Sequence, residues 1–168
     1  MRSVVVVDTS ILCCYLDVPG RDTAGPLHNR WNHTRARNAL DEEEQCGSII
    51  VLPLATIIET GNHIAQAIHS RYEVAHRFSL VVQRALDGHT PWAPFVEQAV
   101  LWEPERLRSL AERWPDLAAA SQSLGDSTIV EVAEYYSQSG SAVKILTADE
   151  GLQAYEPTEP TLVPRRRR

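Results

Sequence analysis

The stretch Ser3-Val4-Val5-Val6-Val7-Asp8-Thr9-Ser10 decides how this chain reads. Val4 to Val7 is apolar at every position rather than at alternate ones, the pattern of a strand buried on both faces and hence central in a parallel sheet. The run stops abruptly at Asp8-Thr9-Ser10, before Ile11-Leu12-Cys13-Cys14-Tyr15-Leu16, which reads as a short helix. Asp8 is therefore predicted at the carboxyl end of a central strand. In open α/β sheets that edge is where ligands bind.

Two further apolar runs, Ser48 to Leu52 and Ala142 to Leu146, read as strands of the same sheet, and Thr161-Leu162-Val163 as a last edge strand. Asp17 to Pro26, with two Pro/Gly pairs, reads as a loop. A polar helix is expected from about Leu27 to Cys46, stopped by Gly47. Pro53 suits the start of the next helix, to which Ile57, Ile58, Ile64, Ala65 and Ile68 give an apolar face. Ser70 to Leu86 and Glu105 to Trp114 are expected to be helical, while prolines at 91, 94, 104 and 115 divide the 87–124 region into short pieces. Apolar positions 129, 130, 133 and 136 recur at helical spacing after Asp126. Strands alternating with helices predict a three-layer α/β/α fold around a mostly parallel sheet. We expect a single domain over 1–164 and a basic tail, Arg165 to Arg168, without fixed structure.

At 168 residues, 43% apolar and 23% charged, the chain has the size and composition of one globular domain. It has no run of about 20 apolar residues and no signal-peptide pattern, so a soluble cytoplasmic protein without a membrane role is expected. Three cysteines, two of them adjacent at Cys13 and Cys14, make neither a disulfide framework nor a zinc set. A reducing compartment fits them better. The net charge is −6, and because the tail supplies +4 the preceding 164 residues carry −10. Such a body is not a general phosphate-backbone binder. Bound divalent cations would reverse the local field wherever its carboxylates converge.

Four acids stand where that convergence is expected. Asp8 and Asp149 follow strands, Glu59 lies seven residues beyond the second strand, and Asp126 opens the helix before the third. Carboxylates held together repel unless cations bind. Oxygen donors without a His/Cys set select magnesium or manganese, whose chemistry is in-line displacement at a phosphodiester. Each acid also has a plain structural role open to it. Asp8, Asp126 and Asp149 can cap helices, and Glu59 can be a surface carboxylate. Asn62 and His63 share the helix face of Glu59; His63 and His69 form no zinc motif. Trp31, Trp92, Trp102 and Trp114 suit base stacking or a core. Glu42-Glu43-Glu44 reads as a solvated helix end, and the arginine tail as a disordered end or an RNA-steering patch.

These residues resemble the PIN-domain nucleases. The resemblance rests on Val4-Val5-Val6-Val7-Asp8-Thr9-Ser10, Thr56-Ile57-Ile58-Glu59-Thr60, Gly125-Asp126-Ser127-Thr128-Ile129-Val130-Glu131-Val132-Ala133 and Ile145-Leu146-Thr147-Ala148-Asp149, in that order over most of the chain. It implies a compact α/β/α fold and a magnesium- or manganese-dependent endoribonuclease with RNA as substrate. Members are often the toxin of a toxin–antitoxin pair and often homodimers. Asp8, Glu59, Asp126 and Asp149 fall at the family's catalytic, metal-binding positions, and Ser10 and Thr147 at its hydroxyl positions. An inhibitory antitoxin would occlude the acidic cleft, inserting an arginine among the carboxylates. The 87–124 region and the loop after Asp17 are longer than in compact members. The rival readings are a noncatalytic PIN-like protein- or RNA-binding module and a nuclease acting on structured or single-stranded DNA. A phosphatase using Asp8 as nucleophile is a third, although Ser10 stands where that pattern has a second aspartate.

Overall fold

The structure is a computed structural model that describes residues 3–93 and 95–158, without the side chains of 95–97. In chain order its elements are β1 (Ser3–Val7), α1 (Thr9–Leu16), β2 (Thr23–Ala24), β3 (Trp31–Asn32), α2 (His33–Gln45), β4 (Ile49–Val51), α3 (Leu54–Gln66), α4 (Arg71–Leu86), α5 (Pro104–Ala119), α6 (Leu124–Gln138), β5 (Ala142–Leu146) and α7 (Glu150–Gln153). Short 3-10 turns cover Leu27–Asn29 and Phe95–Trp102. The strand expected at 161–163 and the arginine tail lie outside the described residues.

β1 is the middle strand of a parallel sheet ordered β4-β1-β5, with Val5 opposite Ile50 on one side and Lys144 on the other. Its apolar run is explained by this position, because both of its faces are covered. Val5 and Val7 join Ile11, Leu12, Leu40, Ile64 and Val74 in the core under α1 to α4. Val4 and Val6 join Ile129, Val132, Tyr136 and Leu152 in the core under α6 and α7. The fold is thus three-layer α/β/α. All four valines are at most 1% exposed, and burying a side chain of this kind contributes about 1.5 kcal/mol or more.

The outer edge of β4 is covered by residues that sequence patterning left unassigned. Ile50 N donates to Pro91 O (2.9 Å), Ala93 N donates to Ile50 O (2.9 Å), and the Gln98 amide donates to Leu52 O (3.1 Å). Trp92 packs into the core there and Trp31 packs near β5, each under 10% exposed. Both therefore have a packing role, and covering an edge removes a site of unwanted strand pairing.

Several local expectations need correction. Of the apolar face expected on α3, Ile57 and Ile64 pack into the core, while Ile58, Ala65 and Ile68 are exposed and Ile68 lies beyond the end of the helix. The 17–26 loop contains β2, which pairs antiparallel with β3. The polar helix begins at His33 rather than Leu27, because the Asn32 side chain accepts from Arg35 N (2.9 Å) and caps it there. α5 continues past Trp114 and through Pro115 to Ala119. Pro115 and Ala111 are both exposed, so the one helical bond that proline forfeits leaves a carbonyl within reach of water. Among the described residues no helix is long and apolar enough to cross a membrane.

Candidate active site at the carboxyl edge of the sheet

Asp8 leaves β1 in extended conformation and caps α1, which therefore starts at Thr9, two residues before the apolar run suggests. Its Oδ1 accepts from Thr9 N (2.6 Å); its Oδ2 accepts from Ser10 N (3.3 Å), Ser10 Oγ (2.5 Å) and Thr147 Oγ1 (2.8 Å). The residue is 6% exposed. Burial pushes its carboxyl above the ordinary aspartate value, and the bonds from Ser10, Thr147 and Thr9 only partly oppose this.

Ser10 and Thr147 act as relays between strands. Each hydroxyl donates to Asp8 while accepting a backbone N–H from the turn after β5, Ala148 N to Ser10 Oγ (3.1 Å) and Asp149 N to Thr147 Oγ1 (3.0 Å). Asp8 N also donates to Leu146 O (3.0 Å). The carboxyl ends of β1 and β5 are thereby tied into one unit, and Asp149 is carried on the turn whose backbone these two hydroxyls hold.

Glu59 reaches the same edge from α3. Thr56 Oγ1 donates to Val7 O (2.9 Å), pinning the first turn of α3 to the end of β1, and one turn further on Glu59 Oε2 accepts from Thr9 Oγ1 (2.9 Å). The other face of the carboxylate lies against Gly125 in α6, where any Cβ would collide with Glu59 Oε1. His63, one turn along from Glu59, has its pKa lowered by burial and by Arg21, with Glu59 opposing. Asn62, expected to support the site, is exposed and bonds to no site residue among those described.

Asp126 and Asp149 serve as helix caps. Asp126 forms a capping box with Ser123 (Asp126 N to Ser123 Oγ 3.0 Å; Ser123 N to Asp126 Oδ2 3.3 Å). Asp149 Oδ1 accepts from Gly151 N (2.7 Å) and Leu152 N (3.3 Å) at the start of α7. Capping engages one oxygen of each; Asp126 Oδ1 and Asp149 Oδ2 accept no hydrogen bond among the described residues. The two side chains line one cleft of about 430 Å³.

All four predicted acids thus lie along the carboxyl edge of the sheet, two linked to it by buried hydroxyls and two facing a common cleft. They do not form a closed cage. Among the described residues no three acidic, histidine or cysteine side chains approach closely enough to share one ion. The donors still suit magnesium or manganese in kind, since such ions keep several waters and take only one or two carboxylates directly. Sequence reasoning missed Thr9 and Gly125 as partners of Glu59. The signal for Gly125 was present, a glycine in the first turn of a helix, where alanine is the better helix former. Compared with family models, curated proteins and solved structures, the chain has no significant match.

Proposed function

We propose that the protein is a divalent-metal-dependent endoribonuclease of the PIN type. The observation that carries this reading is Asp8, a buried carboxylate at the end of the central strand, bonded by Thr9, Ser10 and Thr147, with Glu59, Asp126 and Asp149 along the same edge. Capping uses one oxygen each of Asp126 and Asp149, and a cation site would draw on the oxygens left over. Asp8 and Asp149 would hold magnesium or manganese from the strand ends, with Glu59 and Asp126 meeting its waters. When bound, such an ion supplies Lewis acidity at a phosphodiester and acidifies water. The chain itself contributes geometry: Ser10 and Thr147 keep the Asp8 carboxylate turned, and Thr9 does the same for Glu59. A toxin role with a small inhibitory partner, and a homodimeric state, belong to the same proposal.

The test is cleavage of labelled RNAs and single-stranded DNAs with magnesium, manganese or EDTA, using the native protein and Asp8→Asn. We expect metal-dependent cutting of RNA that Asp8→Asn lacks; equal cutting by the two proteins would remove Asp8 from the site. Preference for DNA would keep the site and change the substrate. A noncatalytic module is the second reading, favoured by the open spacing of the acids, and calorimetry detecting no cation binding would decide for it. Inhibition by a protein encoded beside this one is the outcome the toxin role requires.

A further inference from the structure

Residues 18–40 hold Arg21, Arg30, Arg35 and Arg37 against Asp22 alone, a net +3, whereas the other residues of the first 164 carry −13. Arg37 pairs with Asp41 (3.7 Å). Arg21, Arg30 and Arg35 are exposed, and none of the three makes an ion pair among the described residues. Two of them are fixed on the strap that β2 and β3 form. Arg30 donates from Nη1 to Gly25 O (3.4 Å) and from Nη2 to Thr23 Oγ1 (2.9 Å). Arg35 donates from Nη1 to Arg30 O (3.0 Å) and from Nη2 to Asn29 Oδ1 (2.8 Å), and its guanidinium lies 4.1 Å from the centre of the Trp31 ring. A guanidinium has five N–H groups, so each arginine keeps donors beyond these bonds.

The strap presses on the candidate site. Gly25 sits at φ +81°, and a Cβ there would meet Asn29 O at 2.8 Å and Ala148 O at 3.3 Å, so glycine is what lets the strap close on the turn that carries Asp149. His28 Nε2 on the strap lies 3.1 Å from Glu150 Oε1. Between strap and turn runs a cleft of about 440 Å³ lined by Ser10, Gly25, Pro26, Ala148 and Asp149. Arg30 bonds to the residue that walls this cleft, so a cation already held in place stands beside the acidic edge. Guanidinium matches phosphate in shape and charge, and donors fixed beforehand lose less freedom on binding. An acidic body repels RNA as a whole, and a local cationic lane offsets that field where the strand must pass. We propose that the β2–β3 strap is the track for the RNA backbone, the strand running from Asp149 past Gly25 with Arg30 and Arg35 each holding a phosphate beyond the scissile one. That the strand is cut rests on the ribonuclease reading; that it binds here does not. Arg30 and Arg35 are then substrate-positioning residues, and their loss should raise KM for RNA more than it lowers kcat.

The test is binding of a fluorescently labelled single-stranded RNA in EDTA, which withholds the metal, read by anisotropy over a series of potassium chloride concentrations. For single strands the slope of log affinity against log salt is about 0.7 per phosphate contact. Arg30→Gln and Arg35→Gln should each reduce the native slope by about that much and weaken binding severalfold at low salt, with thermal unfolding showing each variant folded. Arg30→Lys should keep the native slope, since lysine still meets phosphate as a point charge; a merely structural role would leave it as poor as Arg30→Gln. Arg106→Gln removes the same charge from α5 and should leave the slope unchanged. Equal slopes in the native protein and the Arg30→Gln/Arg35→Gln double variant, or an equal fall in Arg106→Gln, overturn the proposal. Native protein that binds polyglutamate but no RNA at low salt also overturns it and gives the strap to an acidic protein partner. RNA binding with the expected slopes but no cleavage with any metal keeps the track and removes the nuclease reading. RNA cleavage whose KM is unmoved in the double variant removes the track and leaves the nuclease.

Discussion

Asp8 combines near-complete burial with an ionisable carboxyl, and this sets site against stability. Its folded pKa is raised, so the folded state favours the protonated form. The stability linked to this group is present below the ordinary aspartate value and is lost as pH rises through the folded pKa. Asp8→Asn removes the ionisable group and can still cap α1 through Oδ1, although its Nδ2 then faces the Ser10 and Thr147 donors. Relative to the native protein its Tm should rise with pH as native Asp8 loses its proton, each kcal/mol being worth about 2–4 °C at this chain length. The gain should vanish below about pH 4, where both side chains are neutral; a Tm series in pH checks it. Gly125→Ala probes the opposite balance. The added methyl meets only the movable end of Glu59, and alanine favours the helix. Unfolding stability should hold or rise slightly while RNA cleavage falls at least tenfold; undiminished cleavage would show that the position of Glu59 is immaterial. At this scale the sequence exposed Asp8, Asp149, Ser10 and Thr147 because each borders an apolar run. Thr9 and Gly125 stayed hidden because their roles come from contact with Glu59, across a sequence separation that is 50 residues for Thr9.

Apolar runs and capping residues made β1, β4, β5 and most helices legible. The remainder depended on contacts that patterning does not encode. β2 and β3 are two residues each, too short for any periodicity, and the cover on β4 is a proline-rich segment recognisable only by its bonds to Ile50 and Leu52. The acidic run of α2 also acquires a meaning through packing. Lys144 on β5 meets Glu43 (2.8 Å), and Ser48 donates to the same carboxylate (2.7 Å). Burial opposes the charge on Glu43, but these donors outweigh it and its pKa is lowered. The ionised form is therefore favoured in the folded state, and the stability it lends is present above the ordinary glutamate value and lost as pH falls through the folded one. Lys144 is about half exposed, so solvent screens the pair. Lys144→Met should cost less than about 1 kcal/mol at pH 7, and urea unfolding should show that cost disappearing below about pH 4.

Across the whole molecule, the cysteines report on the two-sided core. Burial pushes the Cys13 thiol up to about 12 and the Cys14 thiol up to about 11, whereas Cys46 is exposed. The thiolate is the reactive form, so native protein should take up one equivalent of iodoacetamide, at Cys46, and three in denaturant. Mass spectrometry of alkylated peptides checks this, and labelling of Cys13 in native protein as fast as Cys46 would contradict the packing of α1. Because α1 is sandwiched between the sheet and α2 to α4, slow labelling there should track global unfolding. The bond from Thr147 to Asp8 joins residues 139 positions apart, and it has a consequence in time. Chains are synthesised from the amino terminus and domains form as their parts emerge. A partly made chain already holds Asp8 and Glu59, but it lacks the strand that completes the sheet and the hydroxyl that steadies Asp8. Its first strand must wait for β5, so on the proposed ribonuclease reading the capacity to attack RNA would arise only once Thr147 has been made.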